Sequence, residues 1–526
     1  MPCSVVWFKR DLRLHDHAAL HAAATHGPVL CLVVIEPSLW AQPDAAHQHY
    51  AFLLETLREL AQGVKALGGR LHVRTGEVTD VLAQLHALVA FDRLCSHEET
   101  GNAVTFARDK AVARWCRSHG VTWQEFPQFG VVRRLTNRDH WLRHWQAHTA
   151  APQLPCPELT FHSSPWPAQP VPGAPDLGLD AWDPPQRQRG GRSIDLAVLD
   201  DFLNHRCRHY RGGISSPLSA PTACSRLSPY LSLGAVSLRE LVQATAQKRL
   251  QLAAQHPDAA KGLDAFLSRL HWHCHFIQKL ESEPELEWRN LHRGYDGLRE
   301  NDFNPVHFAA LTQGRTGWPM VDACVAMLRE TGWLNFRMRA MLVSVAAYPL
   351  WLHWQPVGQW LARQFLDYEP GIHWSQMQMQ SGTTDINTTR VYNPVKQAQD
   401  HDPKGIFVRC WCPALRRVPD SWLLEPWRMP ESVQQACGVR VSADAPAGAP
   451  DAWPLPVVAL DAATRSAKDR LHSLRKQPEV RAAKAAIVDK HGSRKERDGG
   501  PSRARPRPAA DGRQISLFDA PQSQVV

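Results

Sequence analysis

The 526-residue chain has no apolar run of about 18 residues, so nothing in it reads as a membrane-spanning helix. Its first residues, "MPCSVVWFKRDLR", lack the apolar stretch and cleavage site of a secretory leader. They read as a strand running into a charged loop, which predicts a cytoplasmic protein. Neither GxGxxG nor the Walker phosphate loop is present, so a standard dinucleotide or P-loop site is unsupported. The 12 cysteines are scattered. The tightest pair, Cys410 and Cys412, is a C-x-C with only Cys437 nearby, short of the paired spacing that zinc or iron–sulfur sites use. Reduced thiols and no metal are expected. No internal repeat appears, and tyrosine is scarce, with 7 Tyr against 20 Trp. Ordinary cores do not need so many indoles, whereas base stacking and redox chemistry use them.

The net charge is +9, which favours a polyanionic partner. Part of it belongs to one segment: between 491 and 513 seven Lys/Arg face three Asp/Glu, leaving a modest excess elsewhere. Residues 4–130 alternate β-rich runs ("SVVWF", "VLCLVVIE", "RLHVRTG", "DRLCSHEE", "VTWQEFP") with helical stretches, which predicts a parallel, doubly wound sheet. A Pro/Gly/Gln-rich stretch follows. From about 195 the β signal vanishes and helical periodicity takes over. The expected domains are an α/β unit over 1–135, a linker over 136–194, an all-α unit over 195–430, and a disordered basic tail over 431–526.

Inside the helical part lies "FLDYEPGIHWSQMQMQSG", residues 365–382, with two acids one residue apart, a His–Trp pair and no Lys or Arg. Alone it reads as a polar loop between helices. Four other blocks change that reading: "VVWFKRDLRLHDHAAL" (5–20), "CSRLSPYLSLGAVS" (224–237), "GWPMVDACVAMLRETGWLNFRMR" (317–339) and "RVYNPVKQAQDHDPKGIFVRCWCPAL" (390–415). In this order, over roughly 4–430, they resemble the cryptochrome/photolyase family. The resemblance implies an N-terminal α/β domain, a long linker and an all-α C-terminal domain that binds FAD.

By the same resemblance, Asp367 and Glu369 take two acid positions that line the flavin, with the spacing closest to that of the DASH cryptochromes. His373 takes an Asn position beside flavin N5, and Trp374 the Trp that follows. Cys224, Ser225, Arg226, Leu227 and Ser228 take the place of a pyrophosphate cradle, where backbone N–H groups and hydroxyls meet a helix start. Tyr210 matches an upstream flavin-contacting Tyr, and Arg339 an Arg that pairs with the first acid, Asp367.

The departures are as specific. Of three relay tryptophans in the family only the middle one is kept, Trp354; Met377 and Asn301 stand at the other two positions. An ordinary Trp chain is therefore not expected, and Trp354→Phe is expected to slow photoreduction only modestly. His373 is expected to titrate near neutral pH. On the DNA side Trp272 keeps a stacking indole, a Glu becomes Arg269, an Arg becomes His273 and an Asn becomes Phe336, while Arg337 is a further DNA candidate. The pair that holds a folate antenna in the family aligns with Val104 and Thr105, so the identity of any second, antenna chromophore stays open. The implied function is light-driven, FAD-dependent repair of pyrimidine dimers in DNA. The alternatives are a cryptochrome-type photoreceptor without repair and a flavoprotein or nucleic-acid-binding module that does not use light. Near the C-terminus, Gln514 to Phe518 ("QISLF") resembles the short peptide by which bacterial repair and replication proteins bind the sliding clamp, with Leu517 and Phe518 as apolar anchors.

Overall fold

The computed structural model describes residues 3–386 and 391–492. All five β-rich runs become strands: β1 (Ser4–Phe8), β2 (Val29–Ile35), β3 (Leu71–Thr75), β4 (Arg93–His97) and β5 (Thr122–Phe126). They form one parallel sheet in the order β3-β2-β1-β4-β5, with Val6 opposite Cys31 on one side and Cys95 on the other. Alternate residues enter two cores. Val6, Phe8, Cys31 and Val33 pack beneath the helix His47–Ala66, and Val5, Trp7, Leu30 and Leu32 pack with Leu82 and Val112 on the opposite face. Burial on both faces is why the central runs, β1 and β2, are nearly continuous in apolar residues.

The segment 136–194 is pinned rather than loose. It carries the helix Trp141–Ala150, forms a bridge from Phe161 to Val29, and lays Trp166 under the Arg74 guanidinium at 3.8 Å. The helical part then packs around the 26-residue helix Pro257–Ser282. The periodicity of 197–210 predicts one helix. In the structure a π turn at Phe202–Arg206 interrupts it and swings Arg206 back toward residues 224 and 225.

The expectation of disorder from 431 is corrected. The chain continues through the helix Glu431–Cys437, a small parallel pair (Arg440–Ser442, Ala452–Pro454) and the helices Leu460–Arg475 and Pro478–His491. Cys437, Val439 and Trp453 join the main helical core, and Leu471 and Val480 close over Tyr295 and Tyr348. The alanines that make 460–491 look low in complexity are strong helix formers, and a few well-spaced apolar residues supply the buried face. Residues 1–492 form one compact unit. The peptide 514–518 lies outside the described residues, and among those that are described no helix is long and apolar enough to cross a membrane.

The loop after β1 is the clasp between the two halves. Leu12 N–H donates to Leu233 O (3.1 Å), Arg10 Nε to Ser232 O (2.8 Å) and Arg13 Nη1 to Gly234 O (3.0 Å). Gly234 has φ +65°, and a Cβ there would sit 2.2 Å from Arg10 O, so only glycine fits. Within the loop buried Asp11 lies between two imidazoles, 2.7 Å from His97 Nδ1 and 3.0 Å from His17 Nε2. His17 Nδ1 accepts the Leu20 N–H at a helix start, so the neutral ring carries its proton on Nε2. That proton faces Asp11, while His97 Nδ1 makes the trio's close hydrogen bond to the same carboxylate.

Candidate functional site

The segment 224–228 is shaped from behind. Arg206 donates to Cys224 O and, at 3.2 Å, to Ser225 O; Gln188 Nε2 donates to Arg226 O at 2.9 Å. In a trans peptide each carbonyl points away from the next N–H. Holding three carbonyls on the outer side therefore turns the N–H groups of Ser225, Arg226 and Leu227 the other way. Arg226 sits at φ +62°, a left-handed conformation costly for a long side chain, and its guanidinium lies on the Trp333 ring at 3.9 Å. Ser228 opens the short helix Ser228–Ser232, and its Oγ donates to Asp367 Oδ2 at 2.7 Å.

Asp367 also meets Arg339 Nη2 at 2.9 Å, while Arg339 Nε donates to Leu334 O and its guanidinium stacks on Phe365 at 4.1 Å. Burial opposes the charge on Asp367, but Arg339 and Ser228 outweigh it and hold the carboxyl below its usual range. The second carboxylate oxygen, Oδ1, is buried with no partner among the described residues. An unmet acceptor between a donor-lined cradle and an ion pair is what a polar ligand would complete. The site therefore fits FAD, whose pyrophosphate would lie on Ser225–Ser228 and whose ring system would face Asp367.

Glu369 is one residue further and belongs to another set of contacts. It stands just before the helix Pro370–Ser381, and its side chain pairs with Arg10 of the N-terminal domain at 2.9 Å. Burial raises its pKa, and Arg10 only partly offsets the rise. Between the two acids, Tyr368 donates its hydroxyl to Asp44 at 2.6 Å and places its ring 5.1 Å from His373. His373 Nε2 lies 2.9 Å from Gly358 O, which can only accept, so Nε2 carries the proton and Nδ1 is left as an acceptor. Burial pushes the ring down to about 4, which corrects the expected titration near neutral pH.

Tyr210 is spent on packing: its ring lies against Phe202 and Phe266, and its hydroxyl faces Arg269. Trp272 is half-buried, one turn along the same helix, and stacks on Phe276 at 5.7 Å. His273 turns inward onto Phe129 at 4.9 Å, and burial pushes it down to about 3. As a DNA candidate the neutral ring offers a phosphate a hydrogen bond and no charge. Arg337 stands in the first turn of the helix Phe336–Ala347, close enough to His401 to add to the drop that burial causes in its pKa. Met377 and Trp354 are both buried, and Asn301 is exposed on a short turn, Glu300–Asp302. Sequence reasoning missed Arg10, Gln188 and Arg206. Arg10 stands in a quoted block but acts on a residue of the other domain, and the other two lie in no block at all.

A family model described as the FAD binding domain of DNA photolyase matches residues 266–473, and one described as DNA photolyase matches residues 4–134. The deoxyribodipyrimidine photo-lyase of Streptomyces griseus is 28% identical, over 82% of this chain and 93% of its own. The cryptochrome DASH of Synechocystis sp. is 27% identical, over 85% and 94%. The crystal structure of a bacterial class III photolyase from Agrobacterium tumefaciens superposes with a TM-score of 0.76 at 25% identity, covering 91% of this chain and 98% of that one. With an FAD-binding helical domain set behind a parallel α/β domain, the chain belongs to the cryptochrome/photolyase family.

Proposed function

We propose that the protein is a light-driven, FAD-dependent DNA repair enzyme acting on pyrimidine dimers. The observation that carries this reading is Trp272: a half-exposed indole stacked on Phe276, one helical turn from the Arg269–Tyr210 contact. It offers an aromatic face to an unstacked base pair, and enzymes of this kind take such bases out of the duplex. When bound, FAD supplies light absorption and a single transferable electron. The chain's own residues do the rest. Ser225–Ser228 hold the phosphates, and Arg339 with Asp367 fixes the ring system. His373 presents an acceptor at Nδ1, which suits a ring nitrogen that carries a proton. A net charge of +9 favours approach to DNA.

Purified protein illuminated with dimer-containing DNA should restore base absorbance, and Trp272→Ala should lose this while keeping its flavin. No restoration by the flavin-loaded wild type would overturn the reading. Two observations favour the second reading, a cryptochrome-type photoreceptor. Arg269, at the position of a base-binding Glu, is already engaged with Tyr210, and His273 is a neutral ring turned away. If residues 514–518 engage a sliding clamp, repair is favoured. A peptide of 510–522 titrated against a bacterial clamp should bind, and the Leu517→Ala, Phe518→Ala peptide should not.

A further inference from the structure

Met377 removes one relay position, yet the flavin-site helix carries another indole. Trp374 is buried, its ring 4.9 Å from His373 and 6.0 Å from Trp354. Trp354 in turn lies 5.2 Å from the ring of His353, which pairs at 3.6 Å with Glu300 at the surface. Gly358 makes the packing feasible. A Cβ there would stand 2.6 Å from Trp374 Cζ3, a distance real side chains do not reach, while the Gly358 carbonyl receives His373 Nε2–H.

The two indoles are capped alike. Trp374 Nε1 donates to Asn102 Oδ1 at 3.1 Å, and Trp354 Nε1 donates to Asn290 Oδ1 at 2.8 Å. Each asparagine sends its amide nitrogen to a carboxylate, Asn102 to Asp44 and Asn290 to Asp296 (2.8 Å). An indole nitrogen only donates and a carboxylate only accepts, so both amide orientations are fixed by chemistry. Neither indole N–H faces a group able to take its proton at neutral pH.

We propose that Trp374 and Trp354 form a two-indole electron path from the flavin loop to the surface beside His353, bypassing Met377, and that Asn102 and Asn290 keep the oxidised indoles protonated. This rests on the proposed flavin site. Under light Trp374 loses one electron to the bound flavin, Trp354 passes one electron to Trp374, and an external thiolate at the surface beside His353 returns one electron to Trp354 and becomes a thiyl radical. The thiolate is the species oxidised overall, and no proton leaves either indole. The contact replaces the modest effect of Trp354→Phe expected from the sequence with a large one. It also gives the N-terminal domain, through Asn102, a positioning part in the photochemistry.

Transient absorption of the flavin-loaded protein should show an indole radical with the spectrum of the protonated cation. Trp374→Phe and Trp354→Phe should each lose it, and Met377→Leu should keep it. Asn102→Asp places a carboxylate on the Trp374 N–H and should shift the radical toward the deprotonated spectrum. Without any flavin, side-chain NMR should show, among the indole N–H signals protected from exchange, one that is lost in Asn102→Ala and another that is lost in Asn290→Ala. Wild-type radical yield in Trp354→Phe at full flavin content, or a deprotonated radical in the wild type, would overturn the path. Loss of flavin itself in Trp374→Phe would count against the site assignment, and Trp354→Phe then decides the path.

Discussion

Asp367 and Glu369 are one residue apart, equally buried and of the same charge, yet the structure holds them by different means. Asp367 has an Arg from its own domain and a hydroxyl, and its pKa falls; Glu369 has one Arg from the other domain, and its pKa rises. The turn between them faces two ways: one acid ties to Arg339 and Ser228 in the proposed cofactor site, and the other ties the turn to Arg10 of the N-terminal half. Losing the first acid should therefore cost ligand, and losing the second should cost the junction.

The largest expected effect follows from Asp367→Ala, which leaves Arg339 stacked on Phe365 with its charge unmet. Breaking a buried pair costs about 3–5 kcal/mol, and the value here falls toward the lower end because the Arg339 side chain keeps 23% of its surface exposed. Flavin retained per protein after gel filtration should drop at least several-fold. Full retention would break the division of labour between the two acids.

Asp195 shows what a buried acid does with neither kind of partner. It is fully buried, both carboxylate oxygens lack partners among the described residues, and its pKa is pushed up to about 8 by burial. Glu240 and Glu59 add to the rise, and Arg192 only offsets it. The unfolded chain releases this proton near pH 4 and the folded chain near 8, so between them the folded state holds more protons. Stability must then fall as pH rises through that window, by at most about 1.4 kcal/mol per pH unit from this group. Urea unfolding of Asp195→Asn should show a flatter pH dependence than the wild type. Parallel curves would mean that water or a neighbour already satisfies the carboxylate.

All five stretches became strands: β1 and β2 were legible as buried apolar runs, and the mixed runs of β3, β4 and β5 by their alternation with helical stretches. The cradle and the two acids were legible only as a pattern, since nothing in "CSRLS" shows that Arg206 and Gln188 orient its carbonyls. Contacts between distant segments stayed hidden. Arg10 with Glu369, and Trp374 with Asn102, depend on how the two halves meet, and no local periodicity encodes that. The folded region after 430 was missed for a different reason. Its helices rest on alanine and a few anchors such as Leu471 and Val480, a composition shared with disordered chain.

A smaller effect is expected of Glu369→Gln. Because Arg10 also donates to Ser232 O (2.8 Å) and Tyr368 O (3.3 Å), losing the charge leaves it with other acceptors. The Gln carboxamide oxygen can still accept from it. The cost should be about 1–2 kcal/mol in urea unfolding with flavin content unchanged, the range for a hydrogen bond that loses one charged member. Flavin loss equal to that of Asp367→Ala would show that both acids serve the cofactor and would dissolve the distinction between them.

The smallest effect concerns His373, which sits beyond both acids in the helix Pro370–Ser381 that follows them. With its Nε2–H on Gly358 O and burial pushing it down to about 4, the imidazole stays neutral across the physiological range. The bound cofactor's absorption spectrum and its photoreduction rate should therefore not change between about pH 6 and 8, where an exposed histidine would titrate. Below that range the linkage has a definite sign. The unfolded ring takes up a proton near 6.5 and the folded ring only near 4, so stability is lost as pH falls through this window. His373→Asn, which cannot titrate, should keep the flat profile above pH 6 and lose part of the acid sensitivity below it. A spectral midpoint near 6.5 in the wild type, absent from His373→Asn, would mean that water reaches the ring once the cofactor is bound. The Gly358 contact would then not be what fixes its proton.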